Sequence, residues 1–278
     1  MAAKQTARQR KEATAPAGDI ESERRGSTLL LMLARPDRRN SLSESMIAAL
    51  HGAIDEAGRD AGVRAVVIAA KGPAFSAGHD LKELSSRRGD ADGGRVYYAT
   101  IMRRCADMMQ GIVRCPKPVI AAVQGSAVAA GCQLVATCDL AVASEEASFA
   151  TPGVNIGLFC STPMVALSRN VPRKRAMEML LLGEMLGAQA AADYGLVNRV
   201  VPAARVMDEA FALAALIASK PAATLAIGKE AFYAQAEMTL AQAYDYASGV
   251  MVTNMLHAEA KEGIGAFIEK RPPVWPKS

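Results

Sequence analysis

Lys117-Pro-Val-Ile-Ala-Ala-Val-Gln-Gly-Ser-Ala-Val-Ala-Ala-Gly-Cys-Gln133 is the stretch on which the fold turns. Its first part, Pro118 to Val123, is a short unbroken apolar run, the pattern of a strand covered on both faces. Its second part is rich in small residues, and residues 127–136 suit a helix that follows the strand. A helix start leaves backbone N–H groups unpaired, and these bind anions and oxygen atoms on which negative charge develops. The segment has neither the Gly-Lys-Ser/Thr of a Walker A loop nor the spacing of a dinucleotide fingerprint.

Working outward, the same apolar run recurs at Thr28–Ala34, at Arg64–Ala70 and, after the helix, at Asp139–Ala143. Arg35-Pro36-Asp37 breaks the first run and Lys71-Gly72-Pro73 turns out of the second. Ser43 is placed to cap a helix reaching about Gly58, and a second helix is expected over Val96–Val113, after a charged loop. From Thr162 onward the chain reads as helices with one short strand near Leu196–Val201. Strands alternating with helices predict an α/β layered fold. The organisation expected is a basic arm over 1–20, an α/β core over 21–200 and a helical region over 201–278.

Composition narrows the function. Of 278 residues, 51% are hydrophobic and 22% charged, an ordinary globular balance that excludes a disordered or collagenous chain. The longest apolar run, Ala210–Ala218, is far short of the ~20 residues of a membrane span. The net charge is +4, and most of it sits in Lys4, Arg8, Arg10 and Lys11, so the body offers no basic face for nucleic acid. Aromatics at 5% leave little for base stacking. Five cysteines without metal-ligand spacing read as reduced, buried residues of a reducing compartment. No metal is expected. The arm reads as a disordered solvated extension, with an organelle transit peptide as the alternative.

Four segments carry the potential for chemistry. Phe75-Ser-Ala-Gly-His-Asp-Leu-Lys-Glu83 follows a strand, and its small residues let backbone approach a ligand closely. Gln124–Gln133 opens a helix. Phe149-Ala-Thr-Pro-Gly-Val-Asn-Ile-Gly157 is a Gly/Pro loop, where Thr151 or Asn155 could enter a pocket. Phe267-Ile-Glu-Lys-Arg-Pro-Pro-Val-Trp275 offers Lys270 and Arg271 to a phosphate. Only His79 of the three histidines falls in such a segment, with His51 expected on the exposed side of the first helix and His257 on a late one. Glu83 is expected to face solvent. Each segment read alone is equally an ordinary turn, helix start or basic terminus.

Taken together, Ala77-Gly-His-Asp80, Lys117–Gly125, Gly131-Cys-Gln-Leu134, Cys138-Asp139, Gly195-Leu-Val197, Glu262-Gly263 and Phe267-x-x-Lys270-Arg271 resemble the crotonase (enoyl-CoA hydratase/isomerase) superfamily, from about Thr28 to Trp275. Ala129–Val135, Phe149–Asn155 and Gly157–Pro163 are similar to one group within it, the enoyl-CoA hydratase domain-containing protein 3 group. The resemblance implies a ββα superhelical core, a C-terminal helical region that trimerises, and trimers that pair into hexamers. It implies an acyl-CoA ligand, with CoA as part of the substrate and no separate cofactor. The thioester oxygen would accept from the backbone N–H groups of His79 and Ala130. CoA would run past Ala77, Asp80, Leu81 and Lys82, the acyl group past Pro152, and Phe267 and Lys270 would reach the nucleotide end, across a subunit boundary. The family's two catalytic glutamates, 20 positions apart, fall on Gln133 and Gly153, neither of which can transfer a proton as a carboxylate does. The readings open at this point are a lyase or isomerase of the family with non-standard chemistry, a decarboxylase of malonyl-type thioesters, and a non-catalytic acyl-CoA-binding or regulatory protein. The compartment is the cytoplasm for a bacterial chain and the mitochondrial matrix for a eukaryotic one.

Overall fold

The computed structural model describes residues 18–276; most of the basic arm lies outside them. The chain enters on β1 (Ile20–Arg25), an antiparallel partner of β2 (Thr28–Leu33). α1 (Glu44–Arg59) starts where the Ser43 hydroxyl accepts from the Met46 N–H, as a capping serine does. β3 (Ala65–Ala70), the three-residue β4 (Ala74–Ser76), α2 (Leu81–Ser86) and α3 (Arg95–Arg114) follow. The opening stretch folds as β5 (Val119–Val123), β6 (Ser126–Val128) and α4 (Ala130–Thr137). Next come β7 (Leu140–Ser144), β8 (Ser148–Ala150), α5 (Pro163–Asn170), α6 (Arg173–Leu182), β9 (Leu186–Gly187), α7 (Ala188–Asp193) and β10 (Arg199–Val201). The chain closes on α8 (Val206–Ala218), α9 (Ala222–Gln235), α10 (Leu240–Leu256) and α11 (Ala258–Ile268).

Two sheets result. The larger runs β1-β2-β3-β5-β7-β10 and is parallel from β2 onward. Its strands are apolar at nearly every position because both faces are covered. Leu31, Leu33, Val66 and Ile68 face α1, α3 and α4, while Leu30, Val67, Ile120 and Val142 face Ala210, Leu213 and Ala214 of α8. The smaller sheet runs β4-β6-β8-β9, with β4, β6 and β8 parallel to one another. Its register pairs Ser76 with Ala127 and Val128 with Ala150.

Three features depart from the sequence reading. β1, Ile-Glu-Ser-Glu-Arg-Arg, has no apolar period because it is an edge strand with one neighbour, and charged side chains suit such an edge. Ile20 therefore belongs to a sheet and not to an arm. The helix expected over 127–136 begins only at Ala130: residues 126–128 are a strand, and Ala129 makes the corner at φ +50°. The second sheet has no counterpart in the sequence reading, where β4 and β8 fall in turn and loop segments, β6 in the expected helix and β9 in the helical region, since strands of two or three residues carry no period.

Candidate active site

β4, β6 and β8 are parallel, so their carboxyl ends lie side by side, and the chain leaves each of them at one end of the small sheet. Residues 77–80 leave β4, residues 129–130 leave β6 and residues 151–153 leave β8. The three sequence segments singled out on separate grounds thus converge on one place.

Gly78 explains how closely. It sits at φ +83°, and a Cβ built on it would lie 2.9 Å from the Val128 carbonyl oxygen and 3.1 Å from the Ala130 nitrogen. Only glycine takes that conformation without penalty and lets the two strand ends touch. Gly131 is equally constrained, since a Cβ there would run into the Ser76 carbonyl. The Ala129 N–H donates to the Ala150 carbonyl at 2.8 Å, which ties the third strand end to the same corner. Among the described residues, neither the His79 N–H nor the Ala130 N–H has a protein acceptor. The first is flanked by Leu42, whose N–H donates to the Gly78 carbonyl at 2.8 Å; the second opens α4, all eight of whose residues are buried. The site therefore presents two unpaired backbone donors from adjacent segments, one of them at a helix start where the field favours negative charge.

A second layer fixes the β4 loop. Asn40 is fully buried and its Nδ2 donates to the carbonyls of Lys71 at 2.9 Å and Ala74 at 2.8 Å, while its Oδ1 accepts from the Arg35 N–H at 2.9 Å. The Ser76 hydroxyl donates to the Asn40 carbonyl. Asp80 caps α2, accepting from the Lys82 and Glu83 N–H groups at 3.0 and 3.2 Å. These hydrogen bonds hold its carboxyl below the ordinary value against the opposing effect of burial. Sequence reasoning passed over Asn40, although an asparagine after Pro36-Asp37 is a turn signal.

Side chains around the donors are buried without partners. Gln133 is 5% exposed and its Oε1 has no hydrogen-bond partner; Thr151 is 0% exposed and its Oγ1 has none. Both ring nitrogens of His79 are likewise buried and unpaired. Burial pushes the imidazole pKa down, opposed only by the Leu42 backbone. Gly153 has no room for a side chain: its Cβ position lies 2.5 Å from the Leu158 carbonyl oxygen and 3.0 Å from the Cys160 sulfur.

This geometry sits in a chain whose residues 23–278 match the profile of the family described as enoyl-CoA hydratase/isomerase. The chain belongs to that family. It is 48% identical over 245 residues to the mitochondrial enoyl-CoA hydratase domain-containing protein 3 of Rattus norvegicus, covering 88% of this chain and 80% of the relative. Its fold superposes on the enoyl-CoA hydratase of Mycobacterium smegmatis with a TM-score of 0.89 at 50% identity, covering 93% of this chain and 99% of that one. The human domain-containing protein 3 gives a TM-score of 0.87 at 45% identity, covering 92% and 100%. The two mixed sheets and the C-terminal helices are the crotonase fold.

Other residues singled out from the sequence fall outside this corner. Asn155 is exposed and donates to the Gly183 carbonyl at 3.3 Å, so Thr151 and not Asn155 is the buried side chain of its loop. Glu83 does not face solvent: its Oε2 accepts from the Glu44 N–H at 3.0 Å, at the start of α1. Arg271 is held by Glu262 at 2.7 Å and Glu269 at 2.6 Å, so it is not free for a phosphate. Phe267 and Lys270 are exposed at the end of α11, which packs on α9 and α10. Leu81 and Lys82 are exposed on α2, and Ala77 and Pro152 are half-buried beside the corner. His51 is half-buried and lines a separate cavity of ≈ 500 Å³ with Asp55, Arg59 and Arg114. His257 lies at the junction of α10 and α11. All five cysteines are free and buried. Among the described residues no group of side chains has metal-binding composition, and no single helix is long and apolar enough to cross a membrane.

Proposed function

We propose that the chain binds an acyl-CoA thioester with its carbonyl oxygen between the backbone N–H groups of His79 and Ala130, and acts as a lyase or isomerase through the enolate that this pair stabilises. The observation that carries the reading is that the unpaired His79 and Ala130 N–H groups belong to two segments in close contact at Gly78. Charge develops on the thioester oxygen when an enolate forms, and preorganised donors in a site screened from water stabilise that charge more than they stabilise the ground state. Removing one such donor typically costs ~10²–10³ in rate. Because the donor is backbone, alanine serves at position 130.

Ala77, Asp80, Leu81 and Lys82 are the residues assigned to CoA, and Pro152 borders the acyl group. Phe267 and Lys270 act from a neighbouring copy in a homotrimer or hexamer. That assembly is supported by Phe232, Leu240, Tyr244 and Leu256, large apolar side chains exposed on α9 and α10, neither of which has a buried residue.

Hydration by two carboxylates is not the reaction this site supports. Gln133 cannot exchange a proton usefully, and Gly153 is packed against the Leu158 carbonyl. Each positioned acid–base group is typically worth ~10²–10⁴-fold. The test is mass spectrometry of the full chain incubated with crotonyl-CoA, longer 2-enoyl-CoAs and methylmalonyl-CoA, beside a hydratase that has both glutamates. Expected is binding of the thioesters with water addition at least ~10²-fold slower than the control. Hydration at the control rate overturns the mechanism. Loss of carbon dioxide from methylmalonyl-CoA assigns a decarboxylase, and binding without any turnover assigns a non-catalytic role.

A further inference from the structure

Outside the candidate active site, a cavity of ≈ 500 Å³ opens between α1 and α3, within the size range of small-molecule sites. Ile54, Cys115 and Pro116 give it an apolar wall, and His51, Asp55, Arg59 and Arg114 supply its polar groups. Gly111 of α3 sets the His51 ring at this wall. A Cβ there would stand 3.2 Å from the His51 Cδ2 and 3.4 Å from its Nε2, so the imidazole rests on bare helix backbone.

The two arginines are the informative residues. Arg59 and Arg114 stand in the last turns of α1 and α3, where a cation offsets the partial negative charge of a helix end. That role does not use them up. The end of α3 is already met by the Lys229 ammonium, which donates to the Ile112 carbonyl at 3.0 Å. Among the described residues, the Arg114 side chain has no hydrogen-bond or ion-pair partner, and Arg59 donates only through Nε, to the Asp55 carbonyl at 3.1 Å. The Asp55 carboxylate faces the His51 Nε2 at 3.8 Å instead. Two guanidinium groups thus border one cavity with most of their N–H donors unspent. Planar forks of this kind pair with carboxylates and phosphates through two parallel hydrogen bonds. A bare inorganic ion would leave the Ile54 and Pro116 wall uncovered, a neutral molecule would leave the arginines unmatched, and a cation would be repelled by them.

We propose that this cavity is a second ligand site, for a small organic anion whose carboxylate or phosphate pairs with Arg59 and Arg114 and whose apolar body rests on Ile54, Cys115 and Pro116. The inference is independent of the acyl-CoA reading, because none of these residues belongs to the candidate active site.

The test is NMR titration of the full chain with phenyl phosphate, benzoate, benzyl alcohol and benzylamine, which share a ring and differ in charge. The reporter is the His51 imidazole resonance, assigned by its loss in His51→Gln. Both anions are expected to move it saturably and to bind at least about fivefold more tightly than benzyl alcohol, with benzylamine no tighter than the alcohol. Tighter binding of phenyl phosphate assigns a phosphate ester as the ligand class, and tighter binding of benzoate a carboxylic acid. Arg114→Ala breaks no hydrogen bond seen within the described chain and is expected to weaken both anions about fivefold, while Arg114→Lys, which keeps the charge without the fork, loses less. Thermal melts show that each variant is folded, and Arg59→Gln repeats the test from α1. Benzyl alcohol binding as tightly as the anions, anion binding unchanged in Arg114→Ala, or a His51 resonance that no probe moves overturns the inference.

Discussion

Where α9 meets the main sheet, Lys229 and Asp139 form a buried ion pair at 2.6 Å in which the polar groups are matched. The Lys229 ammonium also donates to the carbonyls of Ile112 at 3.0 Å and Lys117 at 3.1 Å, and Asp139 accepts from the Tyr233 hydroxyl and the Val119 N–H. At the carboxyl ends of β4, β6 and β8, by contrast, Gln133, Thr151 and His79 hold buried polar atoms that have no hydrogen-bond partner among the described residues. Both clusters are costly to desolvate, but only the first recovers that cost by itself. The first is a clamp that docks the helical region on the core. The second is fixed in place by its surroundings, through Asn40, Gly78 and Gly131, while its own polar atoms stay unmatched.

The sharpest way to break this contrast is to remove one member of the clamp. Asp139→Ala leaves a buried ammonium with only carbonyl partners and is expected to cost ~3–5 kcal/mol in urea unfolding. Asp139→Asn, which keeps an acceptor, should cost less. Equal, small losses in both would mean that the pair is not what holds α9 in place. Burial, then the neighbouring Asp139 carboxylate, pushes the Tyr233 phenol pKa up, so Tyr233 stays a donor to Asp139 throughout the neutral range.

Gly153→Glu is expected to give a smaller effect. It restores a carboxylate at the position of the family's second glutamate, but its Cβ enters at 2.5 Å from the Leu158 carbonyl. A loss of about 1–3 kcal/mol is expected from overpacking, with no gain of crotonyl-CoA hydration even beside Gln133→Glu. A double variant that hydrates at the rate of a two-glutamate enzyme, with an unchanged melting temperature, would show that the 158–160 loop yields easily and that the site is a hydratase short of two side chains.

Thr151→Val reverses the sign. Replacing an unpaired buried hydroxyl by a methyl group removes a desolvation penalty without opening a cavity, so the unliganded chain should be unchanged or stabilised by up to ~1 kcal/mol. A loss above that would mean the hydroxyl already has a partner, and Thr151 would belong with the clamp and not with the site.

These contrasts also mark what could be read in the sequence. The main-sheet strands β2, β3, β5 and β7 were legible because each is five or six residues long and apolar at all but, in β2 and β7, one terminal position, and α1 because Ser43 stands where a cap must be. The placement of Gly78, Ala130, Thr151 and Gly153 in segments of interest followed from their small size and from the family resemblance. What brings them together, the small sheet of two- and three-residue strands, has no period to detect. Nor do the long-range contacts: Asn40 acts across 31 to 34 positions at the β4 loop and Lys229 across 90 at the main sheet, and neither separation leaves a local signature. Gly153 illustrates the difference best. The sequence shows only that a glutamate is absent there, whereas the fold shows the Leu158 carbonyl in the way.

The smallest effect concerns His79, whose ring nitrogens are buried at the corner. Burial holds its pKa below the ordinary 6.5, and only the Leu42 backbone opposes that shift. A histidine depressed in the folded state binds fewer protons than in the unfolded state once the pH drops below the unfolded value. Its contribution to stability is therefore complete above pH 6.5 and is lost as the pH falls through the folded pKa. The expected readout is an imidazole resonance in the NMR spectrum of the full chain that titrates below 6.5. His79→Gln should flatten the acid limb of the stability curve and leave thioester binding largely in place, because the donor assigned to the ligand is the backbone N–H and not the ring. A His79 titration at or above 6.5 would mean that the backbone hydrogen bond to Leu42 outweighs burial at this ring.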